Sequence, residues 1–560
     1  MNQSFIARIF LACAAGFAIS ASAQKAALPA DVNLCNPMPQ VPTPMYLAGN
    51  FAELRANHFH SGIDIKTQGK TGFAVHAVDS GYVSRVLVSP WGFGRAVYIA
   101  HPKTGLTTVY GHLEAFSSKI DNIVRAKQYE RETFSIDLNF KPGEIPVERD
   151  EIIARSGNAG SSGGPHLHLD VRETSSGHAL DPLPYFKSLF VDKAAPEVRK
   201  VALFAVKGRG TVTSARILQP TSAPYTFTAW GDVYPGITAY DRMTSTSNIY
   251  GIKYMTLTVD GKEVYNRNLN RADLEGNRAI HTLVEYPERA TSGAWIMTTR
   301  IAETKPLLYM VKAENEGIIS IKEERDYACV FTLTDEFGNT TKVPFTIKGK
   351  KSEITASSAK GKLVSPTKPF NYENNGVKVS MPVGSLYDTM DFTAKSETSA
   401  TYLSAIHTIG DIRTPIGESI TISIKVDRDT IADKAKYCLV RIDGKSRSAV
   451  TATYKNGWMT AKVNRFGKYA VTTDTTEPTV QLVSKTGGTI VYRISDNLSG
   501  IDTYKGLIDG KFALFELDGK TARATFKVDT KRFKSGNHSV TFTAIDACGN
   551  KTTKNDNFSN

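Results

Sequence analysis

The stretch Ser156-Gly157-Asn158-Ala159-Gly160-Ser161-Ser162-Gly163-Gly164-Pro165 runs straight into His166-Leu167-His168-Leu169-Asp170-Val171-Arg172. The Gly/Ser run predicts a turn. The segment after it alternates polar and apolar, which predicts a strand. A period of two puts His166, His168 and Asp170 on one face and Leu167, Leu169 and Val171 on the other. Two imidazoles roughly 6–7 Å apart at Cα can both reach one small site, and histidine is the commonest metal ligand. The same pattern also fits an ordinary polar strand face. A second stretch, Asn57-His58-Phe59-His60-Ser61-Gly62-Ile63-Asp64-Ile65-Lys66, adds His60 and Asp64. In a straight strand their Cα atoms would lie about 13 Å apart, too far for donors that must each come within about 2 Å of one ion. The chain must therefore bend, and Gly62 is the residue that permits it. Two imidazoles and one carboxylate make a three-ligand zinc site with a fourth position open to water, the catalytic pattern.

Three segments in order, His60-Ser61-Gly62-Ile63-Asp64, Tyr110-Gly111-His112-Leu113 and Gly164-Pro165-His166-Leu167-His168, resemble the motifs of the lysostaphin/LytM-type zinc metallopeptidases. That family cleaves the peptide cross-bridges of bacterial peptidoglycan. The resemblance covers roughly residues 45–190. It implies an antiparallel β-sheet metallopeptidase domain holding one zinc per chain through His60, Asp64 and His168. It also implies that His112 and His166 are catalytic histidines that do not bind the metal, without saying which is the general base. Asp170 departs from the family pattern, which has Glu there, at a position that is not a ligand. His58 is a competing ligand, but the spacing to Asp64 matches His60. His76, His101 and His178 lie outside the motifs and read as structural or surface residues. The alternative function is a non-catalytic protein of the same fold that binds wall peptides or activates another hydrolase. A third reading makes the chain an adhesion protein, with its later domains carrying the main role. Retention of all five positions favours the enzyme.

The elements that must position these residues follow in chain order. Residues 24–44 hold Pro37, Pro39, Pro42 and Pro44 and predict an extended lead-in outside the core. Ala74 to Ser89 predicts two short strands around Asp79-Ser80-Gly81. Ala96–Ile99 and Leu106–Tyr110 predict a hairpin, which leaves His112 just beyond its second strand. Trp91 and Phe93 read equally as groove lining or core. Residues 116–150 are charged and weakly patterned, and predict an insertion able to wall the cleft. The whole domain is expected over 45–190 and should fold without the rest, because its ligands all lie before Pro196.

Beyond it the chain predicts about three β-sandwich domains, at 195–350, 351–475 and 476–560. Gly251-Ile252-Lys253-Tyr254 followed by Asp260-Gly261-Lys262 recurs as Gly500-Ile501-Asp502-Thr503-Tyr504 followed by Asp509-Gly510-Lys511. Each copy opens near a proline, Pro196 or Pro478, and reaches a D-x-x-G-N corner, Asp335–Asn339 or Asp546–Asn550. Two related immunoglobulin-like sandwiches fit, the first enlarged by an insertion. Between them, Val377–Met381 and Ile420–Val426 alternate as strands of a third sandwich. No clustered metal-ligating constellation is read in any of these regions, whose expected role is spacing and contact with the wall or a partner.

The fold class is thus mainly β. A chain of 560 residues is too long for one core. Its net charge of +13 suits an anionic matrix such as a cell wall, nucleic acid or membrane, and equally serves solubility alone. No nucleic-acid-binding motif accompanies the charge. Residues 1–23 read as a secretory signal peptide, with Arg8, an apolar run from Ile9 to Ile19 and Ala21-Ser22-Ala23 before the cut. A lipoprotein signal around Cys13 is the less favoured alternative. The expected protein is exported, periplasmic or attached to the cell envelope, or extracellular, with no transmembrane segment. Cys35, Cys329, Cys438 and Cys548 are too scattered for a disulfide framework or a thiolate zinc site. Their pairing, the oligomeric state and the bond cleaved, D,D or glycyl, stay open.

Overall fold

The alternating runs do form strands, and the chain is mainly β throughout. The computed structural model describes residues 32–559, so the expected signal peptide lies outside the described residues. The N-terminal strands are β1 (Leu47–Gly49), β2 (Ile63–Lys66), β3 (Ala74–His76), β4 (Gly81–Val88), β5 (Arg95–His101), β6 (Leu106–Gly111) and β7 (Ala115–Phe116). Helix α1 (Ser118–Glu130) follows, then β8 (Ile136–Asn139), β9 (Pro146–Val147), β10 (Ile152–Arg155), β11 (His166–Glu173) and β12 (Ala179–Leu180). The main sheet runs β1-β2-β11-β6-β5-β4-β8, and β3, β10 and β7 form a small second sheet. All pairings along the main sheet are antiparallel, including the β5–β6 hairpin. Strand β11 lies near the centre, with Leu167, Leu169 and Val171 fully buried on its apolar face. Its polar face is buried too, at His166, His168 and Asp170, and that is where the site forms.

Two expectations need correction. The described part of the lead-in, residues 32–44, runs through bends and a turn with no helix or strand, and its Leu34, Met38 and Val41 are buried in the same core as the sheet. Proline removes a backbone donor and fixes φ without preventing neighbouring apolar side chains from packing. Residues 116–150 do not wall the cleft. They form α1, β8 and β9 at the β4 edge of the sheet, several strands from β2 and β11. What they meet instead is the end of the chain. Tyr129 packs edge-on against Phe512, Arg532 lies over the Tyr129 ring, and Glu132 pairs with Lys505 at 2.5 Å.

Residues 197–349 form one continuous ten-stranded sheet rather than two separate ones. Its long strands, Glu197–Val212 and Tyr225–Tyr240, pair through two register shifts; such bulges bend a strand and increase its twist. Between the first repeated hairpin and its D-x-x-G-N corner lie a 3-10 segment, Asn277–Leu283, a helix, Tyr286–Ser292, and several short strands. The third region packs two five-stranded sheets, and the last packs two four-stranded sheets. The repeated D-G-K turns sit at equivalent hairpins, with positive φ at Asp260–Gly261 and Asp509–Gly510, the backbone that a two-residue hairpin turn demands. Cys438 and Cys548 share one small buried cluster, and none of the four described cysteines is in a disulfide. Among the described residues, no helix is long and apolar enough to cross a membrane.

The N-terminal sheet and the following one share a core. Ile63, Leu167 and Met45 belong to the same cluster as Tyr250, Ile252 and Leu269. Strand β12 pairs with Arg271–Ala272, and the Tyr250 hydroxyl donates to the Leu47 carbonyl at 2.8 Å. The early strands alone therefore lose apolar contacts that large buried side chains supply, each worth about 1.5–3 kcal/mol. A fragment of residues 24–190 should melt well below a fragment of residues 24–350. Circular dichroism melts of the two check this, and equal midpoints would contradict it.

Candidate active site

Strand register brings the ligand candidates together. On β2 and β11, Asp64 lies directly opposite His168, and on the other side of β11 His168 faces Gly111 of β6. His60 precedes β2 and turns back, so that its Nε2 lies 3.0 Å from Asp64 Oδ1. Gly62 matters for a different reason than the bend. A Cβ there would come within 2.2 Å of the Leu169 carbonyl oxygen, so only glycine lets β11 approach this closely. A Cβ on Gly111 would already touch Phe93 and His168, at 3.0 and 3.3 Å.

Three donor atoms converge. His168 Nδ1 lies 2.9 Å from Asp64 Oδ1 and 3.1 Å from His60 Nε2. Donors about 2.0–2.1 Å from a tetrahedral zinc lie about 3.3 Å apart, so His60, Asp64 and His168 have the spacing and chemistry of a zinc triad. Each is oriented from behind. The Asn50 carbonyl, which can only accept, is 2.7 Å from His60 Nδ1; it takes that proton and leaves Nε2 with its lone pair. Asp170 Oδ1 accepts a hydrogen bond from the Nε2–H of His168 at 2.5 Å, which leaves Nδ1 facing the site. Arg55 donates to Asp64 Oδ2 at 2.8 Å, which leaves Oδ1 for a metal.

The electrostatics follow from burial. His168 is fully enclosed, which opposes its charged form, yet Asp170 and then Asp64 outweigh that and raise it to about 9. Burial pushes Asp64 up, but His60, His166 and His168 together hold it well below the usual carboxylate range. Without metal, a proton on His168 thus takes the cation's place, and metal must displace it.

The other two histidines flank the triad. The His112 ring centroid is 4.7 Å from that of His166 and 5.8 Å from that of His168. His112 has φ of 59°, in the left-handed region. Its Nδ1 donates to the Ala159 carbonyl at 2.8 Å. Burial, then the neighbouring His168 and His166, lower it to about 3, so it stays neutral. His166 Nδ1 donates to the Gly164 carbonyl at 2.8 Å. Its Nε2 is buried without a hydrogen-bond partner and lies 3.3 Å from Asp64 Oδ1. The structure therefore gathers His60, Asp64, His112, His166 and His168, and leaves His58 out of the cluster. Phe93 packs against His168 at 4.8 Å and is part of the wall. Trp91 is exposed and lies against Gly519 of the last region. Lys520 beside it reaches the carbonyls of Asn158 and Ser162, in the loop that carries Ala159.

Sequence reasoning missed the supporting residues. Asp170, read as a tolerated departure, is completely buried and also accepts from Ser61 at 3.0 Å and from the Arg172 guanidinium. The period-two spacing of His168, Asp170 and Arg172 was the available signal. Arg55 and Asn50 carry no motif. A carboxylate behind a ligating imidazole fixes its tautomer and raises its basicity. Asp170→Asn should therefore weaken zinc binding about 10–100-fold with the fold retained, as competition against a zinc-sensitive dye would measure.

Residues 58–129 match peptidase family M23, and residues 361–474 match a Zu5-like domain. No curated protein matches this chain. Among solved structures, a variant of the catalytic domain of the prophage-encoded M23 protein EnpA from Enterococcus faecalis is 23% identical. It covers 26% of this chain and 95% of that chain, with a TM-score of 0.19. The catalytic domain of the antimicrobial peptidase lysostaphin from Staphylococcus simulans is 21% identical over 26% of this chain and 92% of that one, with a TM-score of 0.19. A zinc containing peptidase from Vibrio cholerae is 24% identical over 27% of this chain and 39% of that one, again with a TM-score of 0.19. The M23 match contains His60, Asp64 and His112, and the pairing of β11 with β2 adds His166 and His168. The N-terminal β-sheet region thus carries a peptidase M23 match over residues 58–129, and one of the β domains after it is Zu5-like over residues 361–474.

Proposed function

We propose that this chain is an exported zinc-dependent endopeptidase that hydrolyses the peptide cross-links of bacterial peptidoglycan. The observation that carries this reading is the convergence of His60 Nε2, Asp64 Oδ1 and His168 Nδ1 to within 3.1 Å of one another, with two further imidazoles beside them. One zinc per chain, held by these three, would act as a Lewis acid and lower the pKa of a bound water to about 7. The protein's own groups do the rest. His112 and His166 each donate an Nδ1–H hydrogen bond to a backbone carbonyl. Each therefore keeps an Nε2 lone pair able to accept a proton from water. Once protonated, either can donate to the oxyanion that develops on the scissile carbonyl. Phe93 covers one side of His168 and limits water there. The basic net charge of +13 favours contact with an anionic wall polymer.

The five residues should divide into two classes on substitution. Alanine at His60, Asp64 or His168 should empty the site of zinc and abolish activity. Alanine at His112 or His166 should leave zinc bound while peptide release from purified peptidoglycan falls by roughly 10²–10⁴. His166→Ala and His168→Ala, assayed together for zinc content and muropeptide release, make the sharpest comparison. A His166→Ala protein without zinc beside a His168→Ala protein with zinc would reverse the roles. A wild type that holds zinc and releases nothing from cross-linked muropeptides would favour the non-catalytic, wall-binding alternative.

A further inference from the structure

The later regions do contain clustered ligands, contrary to the linear reading, because residues far apart in sequence meet at sheet corners. Asp192, Asp241 and Asp335 each offer an oxygen within 4.8 Å of the other two. All three side chains are buried. Asp192 and Asp335 are held by several hydrogen bonds. Asp192 Oδ1 accepts from the backbone of Ala194 and from the backbone and hydroxyl of Thr244. Asp335 accepts from the backbone and side-chain amide of Asn339. Asp241 differs. It is 7% exposed, and its Oδ1 is buried with no hydrogen-bond partner. The three line a cavity of about 30 Å³ together with Asp181, Lys253 and Glu336. Lys253, the cation there, is already bound to Asp181 and Glu336.

The last region repeats the arrangement with a different sequence. Asp474, Asp496 and Asp546 also bring oxygens within 4.8 Å of one another. Asp474 accepts from the backbone of Thr476 and Ser499, and Asp546 from Cys548 and Asn550. Asp496 is partly exposed; its Oδ2 accepts from Leu498 and Gly500, while its Oδ1 atom is covered and unpartnered. The positions correspond. Asp192 and Asp474 each stand four residues before a proline, Pro196 or Pro478. Asp335 and Asp546 each open a D-x-x-G-N corner. Two copies of the repeat thus leave one carboxylate oxygen empty at the same place.

We propose that each of these two repeated modules binds one divalent cation of the calcium class through its aspartate triad. Oxygen-only, carboxylate-rich donors select a hard cation. Oxygens at 2.3–2.6 Å from calcium can lie up to about 5 Å apart, which accommodates both groups. Both triads sit at junctions. Asn50 and Phe51 of the peptidase region line the first cavity, and Asn50 is the residue whose carbonyl holds His60. In the second, the Asn550 side chain donates to the Asp474 carbonyl, where the Zu5-like region ends. The cations would lock each module against the region before it.

The test uses the full mature chain, stripped with EGTA and titrated with calcium by isothermal calorimetry and by equilibrium dialysis with radioactive calcium. Two calcium ions per chain are expected. Asp241→Asn and Asp496→Asn should each reduce this to one, and the double variant to none. Calcium should raise the melting temperature of the wild type and leave that of the double variant unmoved. A wild type that binds no calcium at millimolar concentration overturns the proposal whatever the variants do. So does a double variant that still binds two. A single variant that keeps both ions removes the site from its module.

Discussion

The structure turns on Asp64, a nearly dry carboxylate set between imidazoles. It is 4% exposed, and one of its oxygens lies within 3.3 Å of His60, His166 and His168. Such a carboxylate is stable only when its charge is met and its lone pairs are filled. Arg55 meets one oxygen, and His60, His166 and His168 face the other. The rest of the N-terminal sheet serves this arrangement. Register on β2 and β11 sets Asp64 against His168, glycine at 62 allows the close approach, and the Asn50 carbonyl and Asp170 decide which nitrogen each imidazole presents. Because His60, Asp64 and His168 are each tied from behind by a polar partner, the triad is organised without a metal.

That organisation extends beyond the peptidase region. Asn50, which holds His60 through its carbonyl, is itself gripped by its side chain, which exchanges two hydrogen bonds with the backbone of Gly251 at 2.8 and 3.0 Å. Gly251 opens the repeated G-I-K-Y motif of the next region. The geometry of a ligand therefore depends on packing across the boundary between two regions, the reason the apolar core runs through both. At the far end, Lys520 and Gly519 press on the loop and the aromatic corner around the site. The later regions thus touch the surroundings of the site at both ends.

Much of this was legible in the sequence, for physical reasons that differ by residue. Period-two alternation located β11 and put His166, His168 and Asp170 on one face, because side-chain direction in a strand is set locally. The turn residues between Ile99 and Leu106 located the β5–β6 hairpin for the same reason. Gly62 was recognised as special, but its close contact with Leu169 depends on a strand more than a hundred residues away. Met38 and Val41 looked like linker residues because proline spacing says nothing about what lies beneath. The aspartate triads were invisible, since Asp192, Asp241 and Asp335 have no common spacing until long strands bring their ends together. Local signals reveal which residues share a strand face; they do not reveal what the opposite strand supplies.

The most direct measurement is anomalous diffraction at the zinc edge from crystals of the mature chain. The account predicts one strong peak in the N-terminal region, about 2.0–2.2 Å from His60 Nε2, Asp64 Oδ1 and His168 Nδ1, with the Nδ1 atoms of His112 and His166 still on their backbone carbonyls. A peak coordinated by His166 or His112 in place of His168, or no zinc at Asp64 in protein purified without chelator, would contradict it.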